Sequence, residues 1–174
     1  MTSGQTQYQV RFDWGLEGAR AIGVDADVVV IVDALRIGAT EHISAGLDGH
    51  GGQVVIASLR NRTAVAGWIL GRQGDKGERF MVAGERWPDG ATRFAIEDLL
   101  AAGAVIDALA ELGIDYCSPE AAAASAAFTG LRNATGHLVG ASASGRELAA
   151  AGSRADVDRA IEIDASTTVP VLKE

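Results

Sequence analysis

The sequence predicts an α/β protein in which helices flank a mostly parallel sheet, as a single domain over residues 1–174. Residues 28–32 read VVVIV, a continuous apolar run that is typical of a strand covered on both faces. Strand-like and helix-like segments alternate along the chain, which is the order that builds a parallel sheet. Apolar residues make up 48% of the chain and aromatic residues only 5%, so aliphatic side chains must fill the core. That composition favours helices packed on a sheet over an aromatic-rich β-sandwich.

Further strands are predicted around this apolar run. The segments 53–58 and 79–84 are rich in apolar residues, and residues 8–12 alternate in polarity. Residues 167–172 form the last candidate strand, which is expected at a sheet edge because Pro170 has no backbone N–H to donate. Ligands are expected where the parallel strands end, at the carboxyl edge of the sheet.

Helical patterns lie between and after the predicted strands. The longest spans 94–112, and Gly113 follows it at the position where glycine commonly ends a helix. Ser118 and Pro119 have the residue types of an N-cap and a first helical position, so a helix is expected in the Ala-rich run behind them. The Gly-rich stretch 38–53 is poorly periodic and is expected to be irregular. Shorter helices are expected at 17–22, at 61–70, from Ser144, and from Ser153 to Ile163.

Charge and cysteine content exclude several classes of protein. The formal net charge is −8 and no tract of five basic residues occurs, so binding to nucleic acid or to an anionic membrane is not expected. Cys117 is the single cysteine, which excludes an internal disulfide. A low-pKa thiol is conceivable there, before a helix start, but a small apolar filler is the better interpretation. No secretory signal or long apolar run is present, so we expect a cytoplasmic protein.

The first candidate site residues stand at the end of the run 28–32. Asp33 follows it directly, and Arg36 comes three residues later. A carboxylate fixed at a strand end suits a Mg²⁺ ligand or a general base, and a planar guanidinium suits a phosphate, sulfonate or carboxylate. The same two residues fit a helix cap or an ion pair that closes a turn. Position alone does not separate these interpretations.

A second group of candidates surrounds the turn WPDG at 87–90. Glu85 follows the predicted strand 79–84 at its carboxyl end, and Arg86 and Arg93 flank the turn. The carboxylate is a candidate catalytic group and the two guanidinium groups are candidate ligands for an anionic substrate.

Two acids, Glu97 and Asp98, fall in the first turn of the predicted helix 94–112. The helix dipole favours acids at this position whether or not they take part in chemistry. Consecutive residues of a helix point about 100° apart, so only one of the two easily faces a given site.

The third candidate segment is SASGREL at 142–148. Arg146 could bind an anion, and Gly145 could let the backbone approach a ligand closely. Ser144 and Glu147 also match a capping box, which would simply begin a helix.

Taken in order, these motifs resemble a known family. The similarity is to the 2-phosphosulfolactate phosphatases of coenzyme M biosynthesis, and it is closest to the bacterial members that begin with FDWG. The ordered set is more specific than any one of its motifs. The resembling stretches are FDWG at 12–15, DALR at 33–36, AGE at 83–85, ED at 97–98, SASGREL at 142–148, and the ending from Asp156 to Pro170.

The resemblance implies an α/β fold, Mg²⁺ as cofactor, and hydrolysis of a phosphate ester of a small sulfonated or carboxylated hydroxy acid. The candidate catalytic residues are Asp33, Glu85, Glu97 and Asp98, and the candidate metal ligands are Asp33, Glu97 and Asp98. The candidate substrate-binding residues are Arg36, Arg86, Arg93, Ser144, Gly145 and Arg146.

The chain resembles a shortened member that lacks the family's central segment. The family's Gly-Asn-x-Pro and Thr-Asn-Gly-Thr stretches, which we expect to contact substrate, are absent, and Ser144 stands where many members have histidine. Two other interpretations therefore stay open: a catalytically reduced binding or assembly module on the same scaffold, and a different small enzyme that acts on another anion. A homodimer is expected, because a second copy could cover sheet surface exposed by the missing segment.

Overall fold

The computed structural model describes residues 5–23, 25–35, 39–47, 49–72, 79–83, 85–86 and 92–173. The main sheet consists of β1 (Val10–Trp14), β2 (Val28–Val32), β3 (Gln53–Ala57), β4 (Arg79–Ala83) and β7 (Val171–Lys173). A second, antiparallel sheet consists of β5 (Glu85–Arg86) and β6 (Thr92–Arg93). The helices are α1 (Gly15–Ile22), α2 (Ala39–Ala45), α3 (Arg62–Leu70), α4 (Ile96–Glu111), α5 (Pro119–Leu131), α6 (Thr135–Ala141), α7 (Ala143–Ala150) and α8 (Arg154–Ala160). Within these described ranges, no helix is both long and apolar enough to cross a bilayer.

The strands of the main sheet lie in the order β1-β4-β2-β3-β7. The first four are parallel, and β7 runs antiparallel to β3 at the edge. Val32 of the central strand lies opposite Ala83 of β4 and Ala57 of β3, so the parallel strands end along one line. The predicted α/β class with a mostly parallel sheet is confirmed.

The last strand begins later than the predicted range 167–172. Pro170 accepts a hydrogen bond from the Ile56 N–H through its carbonyl at 3.0 Å, but it has no N–H to return. The strand therefore begins at Val171, and its place at the sheet edge agrees with the prediction.

Each face of β2 is covered by its own helical layer. Val28, Val30 and Val32 belong to the core shared with α3, α4 and α5. Val29 and Ile31 pack on the opposite side against residues of α1 and α2. Because successive side chains of a strand point to opposite faces, two covered faces require a continuous apolar run rather than an alternating one.

The stretch predicted to be irregular, 38–53, contains helix α2, so that prediction is wrong for Ala39–Ala45. Ile43 and Leu47 are both buried in the layer below β2, and they stand four residues apart. This spacing places two side chains on one face of a helical turn. The glycines around Ile43 and Leu47 obscure the helical spacing in the sequence, so the helix was not predicted.

Helices α4 and α5 pack closely because a glycine lies at their contact. A Cβ atom on Gly103 would lie 2.1 Å from the carbonyl oxygen of Ala124. Helix α5 begins as predicted, with the Ser118 hydroxyl accepting a hydrogen bond from Ala121 N at 3.1 Å. Helix α4 ends before Gly113, whose φ of +84° is the left-handed conformation expected after a helix.

The C-terminal segment is fastened to the start of α3 by Asp164. Its backbone N–H donates to Leu59 O at 3.1 Å, while its carboxylate accepts from Thr63 N and from Arg62 Nε, each at 2.9 Å. Arg62 also donates to Asp107 of α4 at 3.0 Å. Burial alone would raise the pKa of Asp164, but the hydrogen bonds from Thr63 and Arg62 hold that pKa below its usual value.

We predict that Gly103→Ala lowers the free energy of unfolding by about 1–3 kcal/mol, because the added methyl group meets a fixed backbone carbonyl. Gly67 is the matched control, since it also lies inside a helix but a Cβ there would meet nothing within 4 Å. Gly67→Ala should be neutral or stabilising by up to about 1 kcal/mol. Urea unfolding of both variants checks this, and equal effects would contradict the proposed contact.

We predict that Asp164→Asn destabilises the protein at pH 7 and that the difference from wild type shrinks as the pH falls below about 3.9. The sign follows from the lowered pKa, because the ionised carboxylate stabilises the fold above the unfolded-state pKa and loses this effect on protonation. Asparagine tolerates the positive φ of 54° at this position, so the change tests the charge. Urea midpoints between pH 7 and pH 2.5 provide the measurement.

Asp158→Asn is the control for that series, because Asp158 forms an exposed ion pair with Arg154 on the surface of α8. Its effect should stay within about 0.5 kcal/mol at neutral pH. A pH-independent difference between Asp164→Asn and wild type would show that the charge of Asp164 does not stabilise the fold.

Candidate functional site

Asp33 directly follows β2 at the carboxyl edge of the sheet and is 4% exposed. Its Oδ2 atom accepts a hydrogen bond from the Thr40 hydroxyl of α2 at 3.0 Å. The contact with α2 places the Asp33 carboxylate on the side of the sheet that carries α1 and α2. A strand end and a helix thus hold this carboxylate in a fixed position, as the sequence predicted for the strand end.

Asp98 connects the first turn of α4 to the end of β2. Its Oδ1 atom accepts a hydrogen bond from the backbone N–H of Ala34 at 2.8 Å, and the residue is 2% exposed. Ala34 follows Asp33, so the structure brings Asp98 beside the backbone of the first candidate residue. One oxygen of Asp98 therefore has a structural role, whatever else the residue does.

Glu97 lies beside Asp98 in the first turn of α4 and is also 2% exposed. Its Oε1 atom is buried and has no hydrogen-bond partner in the part of the chain that the structure describes. Buried polar atoms are nearly always hydrogen-bonded, and an unsatisfied one costs about 1–3 kcal/mol or more when charged. This oxygen therefore needs a partner from outside the described chain, such as a water molecule or a bound cation.

Arg93 is held by helix α7. Its Nη2 atom donates to the Ser144 hydroxyl at 2.7 Å, and its Nη1 atom lies 3.7 Å from Glu147 Oε1. Ser144 is fully buried. The structure therefore brings together Arg93 and Ser144, two of the predicted substrate-binding residues, and fixes the plane of the guanidinium.

The predicted capping box of Ser144 and Glu147 is wrong, because Ser142 caps α7 instead. The Ser142 hydroxyl accepts a hydrogen bond from Gly145 N at 3.0 Å, and α7 already begins at Ala143. Both serines have the residue type of an N-cap. The buried partner Arg93 decides between them, since it occupies the hydroxyl of Ser144.

Gly145 has a structural reason to be glycine, and its predicted role in substrate binding stays a prediction. A Cβ atom at this position would lie 2.2 Å from the carbonyl oxygen of Val139, so glycine is required by the close turn between α6 and α7. Arg146 is exposed on α7, and its predicted role as an anion ligand stays a prediction.

Three predicted residues are only partly placed or not placed. Arg36 lies outside the described residues. Glu85 and Arg86 form strand β5, in which the backbone of Glu85 lies opposite Arg93 of β6, but their side chains are outside the described part. Their roles stay predictions.

The present contacts of the carboxylates indicate which of them can bind Mg²⁺. Within the described residues, no group of three or more His, Cys, Asp or Glu side chains is arranged to hold a metal ion. Mg²⁺ commonly uses only one or two carboxylates and keeps several waters. The unsatisfied oxygen of Glu97 fits such a small site, whereas a cage built from Asp33, Glu97 and Asp98 together has no support.

A cavity of about 500 Å³ opens beyond the carboxyl ends of β2 and β3, and we call it the β2–β3 cavity. The sequence interpretation missed it. Arg60 comes two residues after the predicted strand 53–58 and was a signal that could have pointed to the cavity. The lining residues are Ala34, Leu35, Ser58, Arg60, Asn61, Leu148, Asp156, Arg159, Ala160, Ser166, Thr168 and Pro170.

Cys117 does not have the properties of a reactive thiol. Burial raises its pKa, and the nearby Asp115 carboxylate raises it further. A raised pKa leaves little thiolate near neutral pH, in agreement with the apolar-filler interpretation.

The sequence was compared with models of known protein families. The model described as 2-phosphosulpholactate phosphatase matches residues 47–174, well over half of the chain. The chain belongs to the 2-phosphosulfolactate phosphatase family. The resemblance read from the sequence is thereby confirmed, and the name of this family implies a phosphatase. The matched region includes Arg93, Glu97, Asp98 and Ser144 but begins after Asp33. A comparison with curated proteins found no match.

Proposed function

We propose that the protein is a Mg²⁺-dependent phosphatase that hydrolyses a phosphate ester of a small sulfonated or carboxylated hydroxy acid, as 2-phosphosulfolactate is. The observation that carries the proposal is the buried, unsatisfied carboxylate oxygen of Glu97, inside the region that the phosphatase family matches. A structural carboxylate at a helix start would normally accept a hydrogen bond from backbone N–H groups or solvent. A cation would supply the missing partner.

Glu97, together with Asp33 or Asp98, would hold the metal ion. When bound, Mg²⁺ supplies positive charge next to phosphate oxygens and lowers the pKa of a coordinated water. Asp98 keeps α4 attached to the end of β2, so the acids of its first turn stay aligned with the sheet edge. The carboxylate not used by the metal would accept a proton from the attacking water.

Arg93 would bind phosphate oxygens, with Arg36 as its predicted companion. Ser144 fixes the orientation of the Arg93 guanidinium before any substrate arrives. A preorganised planar fork loses less conformational entropy on binding and matches the geometry of phosphate oxygens.

Phosphate release tests this proposal directly. We expect release from 2-phosphosulfolactate or a related phosphorylated hydroxy acid with Mg²⁺, and none with EDTA. Asp33→Asn should lower turnover at least about 100-fold while the fold persists, since asparagine keeps an oxygen acceptor for Thr40. Asp158→Asn, on the exposed face of α8, is the control. Full activity of Asp33→Asn would exclude Asp33 from the mechanism.

Metal binding can be measured without turnover, by the shift in unfolding temperature between Mg²⁺ and EDTA. Wild type should be stabilised by about 2.7 kcal/mol at a Mg²⁺ concentration 100 times its Kd, and Glu97→Gln should lose this gain. Glu120→Gln is a matched control, because Glu120 is the second residue of α5 as Glu97 is of α4, but it is exposed. An unchanged Mg²⁺ effect in Glu97→Gln would contradict the assignment.

A second candidate function is a catalytically reduced binding module. It is favoured by the structural hydrogen bonds that Asp33, Asp98 and Arg93 already make with Thr40, Ala34 N and Ser144. In that case Asp33→Ala would lower stability and leave Mg²⁺ affinity unchanged, which is opposite to the expectation for the phosphatase.

A further inference from the structure

We infer that the β2–β3 cavity binds an organic acid larger than a three-carbon hydroxy acid, through the guanidinium groups of Arg60 and Arg159. In the proposed reaction this acid is the organic part of the phosphate ester, so that part of the inference rests on the proposed function. Of the predicted site residues whose side chains the structure describes, none lines this cavity.

The cavity adjoins the candidate site along two elements. Ala34 and Leu35 line it and directly follow Asp33 at the end of β2. Leu148 lines it from α7, one helical turn beyond Ser144, whose hydroxyl holds the guanidinium proposed to bind phosphate. A ligand in the cavity can therefore extend toward the place where the phosphate would lie.

Arg60 is positioned to bind an anion in the cavity. Its Nη1 atom donates to Arg159 O at 2.8 Å and to Glu162 Oε2 at 2.6 Å, which anchors one corner of the guanidinium. Its Nε and Nη2 atoms make no hydrogen bond with residues in the described part of the chain. The side chain is only 27% exposed, so an ion pair with a ligand there is less screened than one on the open surface.

Arg159 supplies the second positive charge. Its Nη1 atom lies 4.0 Å from Asp156 Oδ1, and both side chains are 66% exposed, so this pair is loose. Asp156 also lines the cavity. Glu162 already offsets the charge of Arg60, so an anion would be bound by the remaining N–H donors of Arg60 and by the loosely paired Arg159.

The neutral polar residues of the lining form a wall that is held by its own hydrogen bonds. The amide of Asn61 is used by Ser58 N, Ile56 O and Thr168 O, at 2.9, 3.3 and 3.0 Å. It therefore shapes the cavity rather than binding a ligand. Ser58 and Ser166 also use their hydroxyl groups within this wall: Ser58 Oγ donates to Asn61 Oδ1 at 3.4 Å, and Ser166 Oγ accepts from Thr168 N at 3.2 Å.

Size and apolar lining define the rest of the ligand. A volume of about 500 Å³ lies within the range of roughly 300–1,000 Å³ that is usual for sites of drug-sized molecules. A three-carbon acid would leave much of it filled with water. The remaining wall is apolar, which favours a hydrocarbon portion between the acid and the phosphate, and it is formed by Ala34, Leu35, Leu148, Ala160 and Pro170.

Calorimetric titration of the full chain with acids that carry no phosphate tests the cavity independently of hydrolysis. The probes are 2-hydroxy-4-phenylbutanoate, its neutral amide and lactate. We expect the first to bind on the order of tenfold more tightly than the amide, because the amide lacks the charge that the guanidinium groups bind. It should exceed lactate by a similar factor, because lactate lacks the apolar portion.

Three variants locate the binding site. Arg159→Gln should weaken binding of the phenyl acid on the order of tenfold, and Asp156→Asn should strengthen it by removing a repelling carboxylate. Arg154→Gln is the matched control on the same helix, since Arg154 is 67% exposed but does not line the cavity. These three side chains are on the surface, so the variants should fold as wild type does.

The inference is overturned if lactate binds as tightly as the phenyl acid, or if Arg159→Gln and Arg154→Gln have equal effects. It is supported if the phenyl acid binds and its affinity depends on Arg159 and Asp156 as stated. Binding of this kind without phosphate release from any ester would remove the proposed phosphatase activity while the ligand class of the cavity stands. Phosphate release that does not depend on Arg159 would support the phosphatase activity and overturn the ligand class proposed for the cavity.

Discussion

The hydrogen bond from Ala34 N to the Asp98 carboxylate joins residues 64 positions apart in sequence and is buried. It attaches the first turn of α4 to the carboxyl end of the central strand β2. Glu97 is the neighbouring residue in that turn, and its carboxylate is buried as well. Ala34 then lines the β2–β3 cavity on its way out of the strand.

Most of the described site residues already make hydrogen bonds within the protein, whereas Glu97 has a buried oxygen atom that lacks a partner among the described residues. Thr40 holds Asp33, Ala34 N holds one oxygen of Asp98, and Ser144 holds Arg93. Such bonds preorganise a site, because side chains that are fixed in advance lose little entropy when a ligand arrives. The buried oxygen of Glu97 is different, since it has burial without a hydrogen bond in the described structure. This contrast is the physical basis for the proposal that the metal ion binds at Glu97.

An acidic protein can still bind an anionic ligand, because local placement of charge outweighs the net value of −8. Two arginines line the β2–β3 cavity, and Arg159 is only loosely paired with Asp156. One of them, Arg60, is anchored by the backbone of the other and by Glu162. Arg62 is buried and binds Asp107 and Asp164. These contacts hold the C-terminal segment, which forms one wall of the cavity. Arginines two residues apart thus have separate tasks, one in stability and one in recognition.

The sequence by itself determined the α/β class, the parallel core strands and the start of α5, because these follow from local patterns such as the VVVIV run and the Ser118-Pro119 cap. It also determined the family, through motifs whose order is specific even though each is weak. Only the tertiary structure decided between Ser142 and Ser144 as the cap, since the answer depends on Arg93 approaching from 51 residues away. The same holds for Glu97 and for the β2–β3 cavity. Unsatisfied buried atoms and shared walls arise from packing between distant segments, which no local pattern records.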